Sequence, residues 1–323
     1  MTLYGVVDLG YNTSKLSDGA TVTSKTAGLT SIASGSRVGF KGTEDLGGGL
    51  KANFVIEAGL KPDEKDMEFG KNNRQSYVGL AGAFGSVNLG RQYTPIHGVQ
   101  GAYDTNGNAT AAGWLGGATN LVRASNLIAY STPSFNGFTL TAGVGYGEAE
   151  QTTASTNKSG NVTTVGVTYA NGPLTVQAAT ETVKLSALSV TLPGGSAATA
   201  LSDALASRKA NSFGASYDFG MAKLTAVRTT AKAGSAADAG EFNTNNFGVS
   251  VPVGAVTLNA TVSNGDYKDS GAASVDVSGY QLGATYALSK RTTAYTFLGQ
   301  GKDKTATNAG KQETFAVGIR HTF

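Results

Sequence analysis

Apolar and polar residues alternate along almost the whole chain. Leu3, Val7, Leu9 and Tyr11 share one face in the first run, and Val38 and Phe40 do so in the second. The same period of two recurs in Phe138, Leu140, Ala142, Val144 and Tyr146, then in Phe213, Ala215 and Tyr217. It returns in Val256, Leu258, Ala260 and Val262, and finally in Phe315, Val317 and Ile319. The opposite faces carry Thr, Ser, Gly, Asn and Gln, as in Thr257, Asn259, Thr261 and Ser263. Such alternation predicts strands with one apolar and one polar face.

The connections alternate as well. Seven are short (43–49, 83–85, 133–137, 171–173, 219–221, 252–254 and 288–291), and eight are long (13–33, 60–72, 94–125, 148–161, 184–209, 233–243, 264–276 and 302–311). Together they predict sixteen consecutive up-and-down strands. All 6 prolines fall in connections, where no ladder hydrogen bond is lost.

A soluble protein would bury its apolar faces against a second layer, and the pattern offers none. Closing the sheet on itself leaves a polar lumen inside an apolar wall and satisfies every backbone group in lipid. The reading is a single domain over 1–323: an all-β, 16-stranded antiparallel transmembrane β-barrel with short periplasmic turns and long extracellular loops. Tyr11, Tyr77, Tyr130, Tyr146, Tyr169, Phe219, Tyr286 and Phe323 read as aromatic girdles at its rims. A soluble adhesin or β-solenoid is the competing fold, and no short-period repeat supports the solenoid.

One connection departs from the rest. Residues 94–125 include Thr94-Pro95, Gly98, Gly101, Asn106-Gly107-Asn108, Gly113, Gly116-Gly117 and the lone Trp114. A connection this long is functional or counts against the element assignment. It reads as a third long loop that folds inward, into what the wall encloses. In the fifth long connection, the Ala/Leu spacing of residues 196–207 is consistent with a short helix.

Composition removes other classes. The 323 residues include no Cys and 2 His, so a transition-metal site has little to build with. A net charge of +3 without a basic run does not point to nucleic acid. No apolar run approaches the roughly 20 residues of a membrane helix. The chain opens directly on a strand pattern, so an exported form would have lost its leader upstream. No catalytic triad spacing, phosphate loop or carboxylate pair stands out, and no enzyme, cofactor or metal is expected. Acidic loop segments such as Asp63-Glu64-Lys65-Asp66 read as solvated surface charge.

Several stretches resemble the general trimeric porins of Gram-negative bacteria, especially the neisserial and betaproteobacterial branch. They are Thr2-Leu3-Tyr4-Gly5-Val6-Val7-Asp8, Ser36-Arg37-Val38-Gly39-Phe40-Lys41-Gly42 with Glu44-Asp45-Leu46-Gly47, and Asn73-Arg74-Gln75-Ser76-Tyr77-Val78-Gly79-Leu80. Phe84 to Gln92 and the terminal Gly318-Ile319-Arg320-His321-Thr322-Phe323 complete the match. The resemblance implies a homotrimer in outer-membrane lipid and lipopolysaccharide, with Phe323 as the signal for the outer-membrane assembly machinery. It also implies that the third loop faces basic wall residues, here Arg37, Arg74 and Arg123.

Counting along the strands points the same way. Val38 and Phe40 outward put Arg37 inward; Tyr77 outward puts Arg74 inward; Ile128 and Tyr130 outward put Arg123 inward. Glu57 has lumen parity and is a candidate partner for a wall arginine, and Asp8 is also inward. Arg91 shares the outer face of Val87 and Leu89 and reads as a subunit-interface contact. Many cation-preferring relatives carry carboxylates in the loop, whereas here its one acidic residue is Asp104. A basic wall opposite a nearly neutral loop predicts a general diffusion channel for small hydrophilic solutes that prefers anions. A substrate-specific channel on the same barrel, or a non-conducting adhesin barrel, are the rival functions.

Overall fold

The structure is a computed structural model. It describes all residues except 65–72, 107–120, 148–159, 185–187, 192–196, 202–206, 235–239, 269–273 and 305–308. The strands are β1 (Thr2–Asp18), β2 (Thr21–Thr30), β3 (Arg37–Gly47), β4 (Leu50–Gly59), β5 (Asn73–Gly82) and β6 (Gly85–Tyr93). Helix α1 (Pro95–Tyr103) follows, then β7 (Arg123–Ser131), β8 (Phe138–Gly145), β9 (Val162–Asn171) and β10 (Leu174–Lys184). A small hairpin, β11 (Leu188–Thr191) and β12 (Ala197–Leu201), interrupts the series. The wall resumes with β13 (Ser207–Asp218), β14 (Lys223–Gly234), β15 (Gly240–Val253), β16 (Val256–Lys268), β17 (Val275–Ala287), β18 (Thr292–Lys304) and β19 (Ala309–Thr322).

Seventeen of these strands, all but β11 and β12, form one antiparallel sheet that closes as a 16-strand barrel, with β2 and β3 sharing the place beside β1. The ends meet: β1 runs antiparallel to β19 from Val6 opposite Thr322 to Asp18 opposite Gly310. Gly5 and Phe323 exchange N–H···O bonds of 3.0 and 3.1 Å. Closure removes the sheet edge, which lipid cannot solvate.

The faces are inverted relative to a soluble protein. Leu3, Phe40, Ile56, Val78, Leu89, Phe247, Val262 and Phe315 are exposed on the outside, while Thr229, Thr244, Asn246, Thr261 and Gln281 are buried on the inside. Apolar outside and polar inside is the pattern of a wall between lipid and water.

Three local expectations are corrected. Much of the 13–33 connection is a hairpin: β1 continues to Asp18 and β2 pairs back along it, turning at Gly19 with φ +57°. Within 196–207, Ala197–Leu201 is strand β12 paired with β11. A partner strand supplies backbone bonds that a five-residue helix could not supply alone. Tyr77 faces the lumen and is no girdle residue: its neighbours Val78 and Leu80 are the exposed ones, and it stands opposite Val55.

The third long connection is not structureless. Thr94 caps α1 by accepting from the His97 N–H at 3.4 Å, and Pro95 occupies the first turn, where its missing N–H costs nothing. The helix lies inside the barrel and buries Ile96, Val99 and Tyr103 against Ala179, Ala210 and Val227 of the wall. The Tyr103 ring fills a notch over Gly214, where any Cβ would collide with it. Polar contacts fix the same face, with Gln100 Nε2 donating to Ser212 Oγ at 3.1 Å and Thr225 Oγ1 to the Tyr103 carbonyl at 2.9 Å. Residues 107–120, with Trp114, lie outside the described residues.

Candidate functional site: an arginine cluster on the lumen wall

Arg37 opens β3, Glu57 lies near the end of β4, Arg74 is the second residue of β5 and Arg123 opens β7. The structure gathers them where α1 enters the lumen. The Glu57 carboxylate is buried and serves two guanidiniums, Arg74 Nε at 2.6 Å and Arg37 Nε at 3.4 Å. It also accepts from the Tyr4 hydroxyl at 3.1 Å. Arg37 is steadied further by Ser34 Oγ at 2.9 Å and the Gly35 carbonyl at 2.8 Å.

Tyr93 links the remaining members. Its hydroxyl accepts from Arg74 Nη2 at 2.9 Å and from Arg123 Nη2 at 2.6 Å, while the Arg123 guanidinium lies 4.3 Å over its ring. The ring stacks on His97 of α1, with centroids 5.1 Å apart. His97 is pushed down from 6.5 to about 4, first by burial and then by the charges of Arg123 and Arg74. It is a neutral group beside a cationic cluster at neutral pH.

Strand counting reaches Arg37 correctly, but for Arg74 and Arg123 the route differs from the simple alternation. In β5, Glu57 stands opposite Gln75 and Ala58 opposite Asn73, so Arg74 is the extra residue of a bulge and turns to Glu57. In β7, Gly90 pairs with Leu127 and Gln92 with Ala124, so two residues oppose Arg91. Asn126 absorbs the irregularity with φ +50° and Gly90 with φ +136°, a conformation that glycine adopts without strain.

Arg91 ties these two irregularities together. Its Nε donates to the Asn73 carbonyl and its Nη1 to Ser125 Oγ, both at 3.0 Å. Asp104 lies elsewhere. It follows α1, accepts from the Asn106 N–H at 3.0 Å, and sits between residues bonded to the opposite wall. Tyr103 is held by Thr225 of β14, and Thr105 by Thr261 of β16 at 2.8 Å. The arginines' carboxylate neighbour is therefore Glu57.

Sequence reasoning missed Tyr93, His97 and a second ion pair, Glu181 with Arg208. Glu181 Oε1 accepts from Arg208 Nη2 and from the Leu121 N–H, each at 3.0 Å, and both side chains are buried. Thr94 Oγ1 donates to the Leu121 carbonyl at 2.6 Å, so the two limbs of the third loop are joined at their base and pinned to β10. The signal was present: outward Ala178 and Phe213 put both charges inside the barrel on adjacent strands.

Comparisons with known proteins agree with this architecture. The sequence profile of the Gram-negative porin family matches residues 1–306. Outer membrane porin protein 32 of Delftia acidovorans is 34% identical over 354 residues, covering 100% of this chain and 94% of that protein. An outer membrane porin protein of Bordetella pertussis is 28% identical, with 100% of this chain and 94% of that protein covered. The solved anion-selective porin from Comamonas acidovorans superposes with a TM-score of 0.80 at 32% identity, covering 100% of this chain and 99% of that one. The chain belongs to the Gram-negative porin family, whose members are β-barrel channels of the outer membrane.

Proposed function

We propose that this porin is a general diffusion channel narrowed by its 94–125 connection, and that it passes small anions more readily than cations. The observation that carries this reading is a cluster of three guanidiniums, Arg37 and Arg74 on Glu57 and Arg123 on Tyr93, in which Glu57 is the one carboxylate among the described residues. A guanidinium stays charged at any working pH, so the cluster keeps a positive excess at the narrowest part. A narrow passage with low-dielectric walls focuses that field on passing ions. The anion-selective porin from Comamonas acidovorans, similar over its whole length, supports the reading.

The long loops are taken to face the cell exterior and the short turns the periplasm. A homotrimer, lipopolysaccharide contacts, an interface role for Arg91 and recognition of Phe323 by the assembly machinery belong to the same proposal. The test is the reversal potential across a planar bilayer in a salt gradient. Anion preference is expected for the native protein, with a clear reduction in the Arg37→Ser/Arg74→Ser variant. Cation preference at neutral pH in the native protein sinks the reading.

A further inference from the structure

Asp8 is a fully buried carboxylate on the lumen side of β1, and the arginine cluster makes no direct use of it. Its partners lie in residues 31–36, the segment that joins β2 to β3, and on β18. Asp8 Oδ1 accepts from the Ile32 N–H at 2.9 Å and from the Tyr295 hydroxyl at 2.7 Å. The Asp8 N–H donates to Ser36 Oγ at 2.9 Å. The Ser31 and Ser36 hydroxyls lie 3.0 and 2.9 Å from the Asp8 carbonyl. One residue of the wall therefore gathers both ends of the segment, and a buried, shared network of this kind fixes what it holds.

Apolar contacts seat the same segment inside the barrel. Ile32 and Ala33 pack against Tyr295, Phe297 and Ala316 on the lumen side of β18 and β19. Gly10 and Gly318 stand opposite each other on β1 and β19, and a side chain at either would collide with the Tyr295 hydroxyl. Residues 31–36 thus form a short tongue on this wall, while α1 lies on β10, β13 and β14.

The tip of the tongue reaches Arg37. Arg37 Nη1 donates to Ser34 Oγ at 2.9 Å and to the Gly35 carbonyl at 2.8 Å. Its Nε stops 3.4 Å from Glu57, whereas Arg74 Nε closes on the same carboxylate to 2.6 Å. A charge-assisted bond of full strength spans about 2.7–2.9 Å, so Arg37 is held short of one. Among the described residues its Nη2 has no hydrogen-bond partner, and the side chain is 24% exposed.

We propose that Asp8 is a positioning residue for the arginine cluster: through residues 31–36 it holds Arg37 off Glu57 and keeps that guanidinium available to passing anions. The proposal rests on the anion-preferring channel described above. Without the tongue, Arg37 closes onto Glu57, and its donors are spent on a fixed carboxylate instead of a moving solute.

The test is the reversal potential in a salt gradient for the native protein, Ser31→Ala/Ser36→Ala and Tyr295→Phe, each with and without Arg37→Gln. The serine and tyrosine substitutions remove hydroxyls and no charge, so a purely structural network leaves ion preference where it is. The anion-to-cation permeability ratio is expected to fall about twofold in the serine variant. A smaller fall is expected in Tyr295→Phe, which keeps its ring on Phe297 and carries the same test if the serine variant does not assemble. In the Arg37→Gln background the same substitutions should change nothing further, because the effect runs through that side chain. An unchanged ratio in the assembled variants, or an equal fall with and without Arg37, overturns the proposal. Native anion preference alongside unmoved variants refutes the positioning role alone. A native protein without that preference refutes the channel reading and this inference with it.

Discussion

Arg74 Nε lies 2.6 Å from Glu57 Oε1, and it gets there as the extra residue of a β-bulge. Regular pairing would alternate Arg74 with Gln75 and leave it on the face of exposed Val78. The bulge frees it from that alternation. One carboxylate then serves Arg37 and Arg74 together, while Arg123 is held by the neutral hydroxyl of Tyr93. Among the described residues, three cations against one anion leave an excess of two positive charges.

Removing the one anion should strengthen anion preference. Glu57→Gln keeps the side-chain shape and its hydrogen-bond acceptor for Tyr4, so the barrel is expected to assemble normally. A unit charge acting over about 8 Å in a water-filled lumen is worth roughly 0.5–1 kcal/mol. The anion-to-cation permeability ratio should rise about two- to fivefold in reversal-potential measurements. A fall in that ratio contradicts the arrangement.

Much of this was legible in the chain. Period-two alternation and alternating connection lengths specify the barrel because the two faces meet different solvents, and Val38 with Phe40 places Arg37 correctly. Bulges were not legible, since a one-residue insertion leaves no mark in a polar, glycine-rich strand end such as Asn73-Arg74-Gln75. Thus simple alternation puts Tyr77 on the wrong face, while Arg74 reaches the lumen by another path. Helix α1 could have been read from Thr94-Pro95, a capping residue followed by proline in the first turn. The glycines at 98 and 101 concealed it, and burial of Ile96, Val99 and Tyr103 on the wall outweighs their weak propensity.

Asp104 offers a contrast to Glu57. It is the acidic residue of the third loop, yet its neighbours are bonded to Thr225 and Thr261 on the wall opposite the arginines. Asp104→Asn should therefore change ion selectivity less than Glu57→Gln does. Paired reversal-potential measurements under one salt gradient check this, and an equal or larger shift for Asp104→Asn refutes it.

His97 predicts a pH-dependent effect with a definite sign. Its proton affinity in the folded protein is depressed from 6.5 to about 4. At pH 7 the ring is neutral, and His97→Gln should leave the reversal potential unchanged. Below about 4 the native ring gains a charge beside Arg123 and Arg74, so the native channel should become more anion-preferring than the variant. The unfolded chain takes up this proton as pH falls through 6.5, and the folded one only near 4. Native stability should thus decline across that window by an increment that His97→Gln lacks. Titrations of both proteins, in bilayers and by denaturant unfolding in detergent, test the two effects.

The Glu181–Arg208 pair separates the stability of the barrel from the position of its loop. Both side chains are buried and 3.0 Å apart, and Glu181 alone also accepts from the Leu121 N–H. Glu181→Ala strands a buried guanidinium, which should cost about 3–5 kcal/mol in denaturant unfolding. It also releases the return limb of the third loop, so single-channel currents should become noisier. Replacing both partners, as in Glu181→Leu/Arg208→Leu, removes the stranded charge and should restore most of the stability. It cannot restore the bond to Leu121, so the current noise should persist. Recovery of quiet currents along with stability would show that Thr94 and the α1 contacts hold the loop without Glu181.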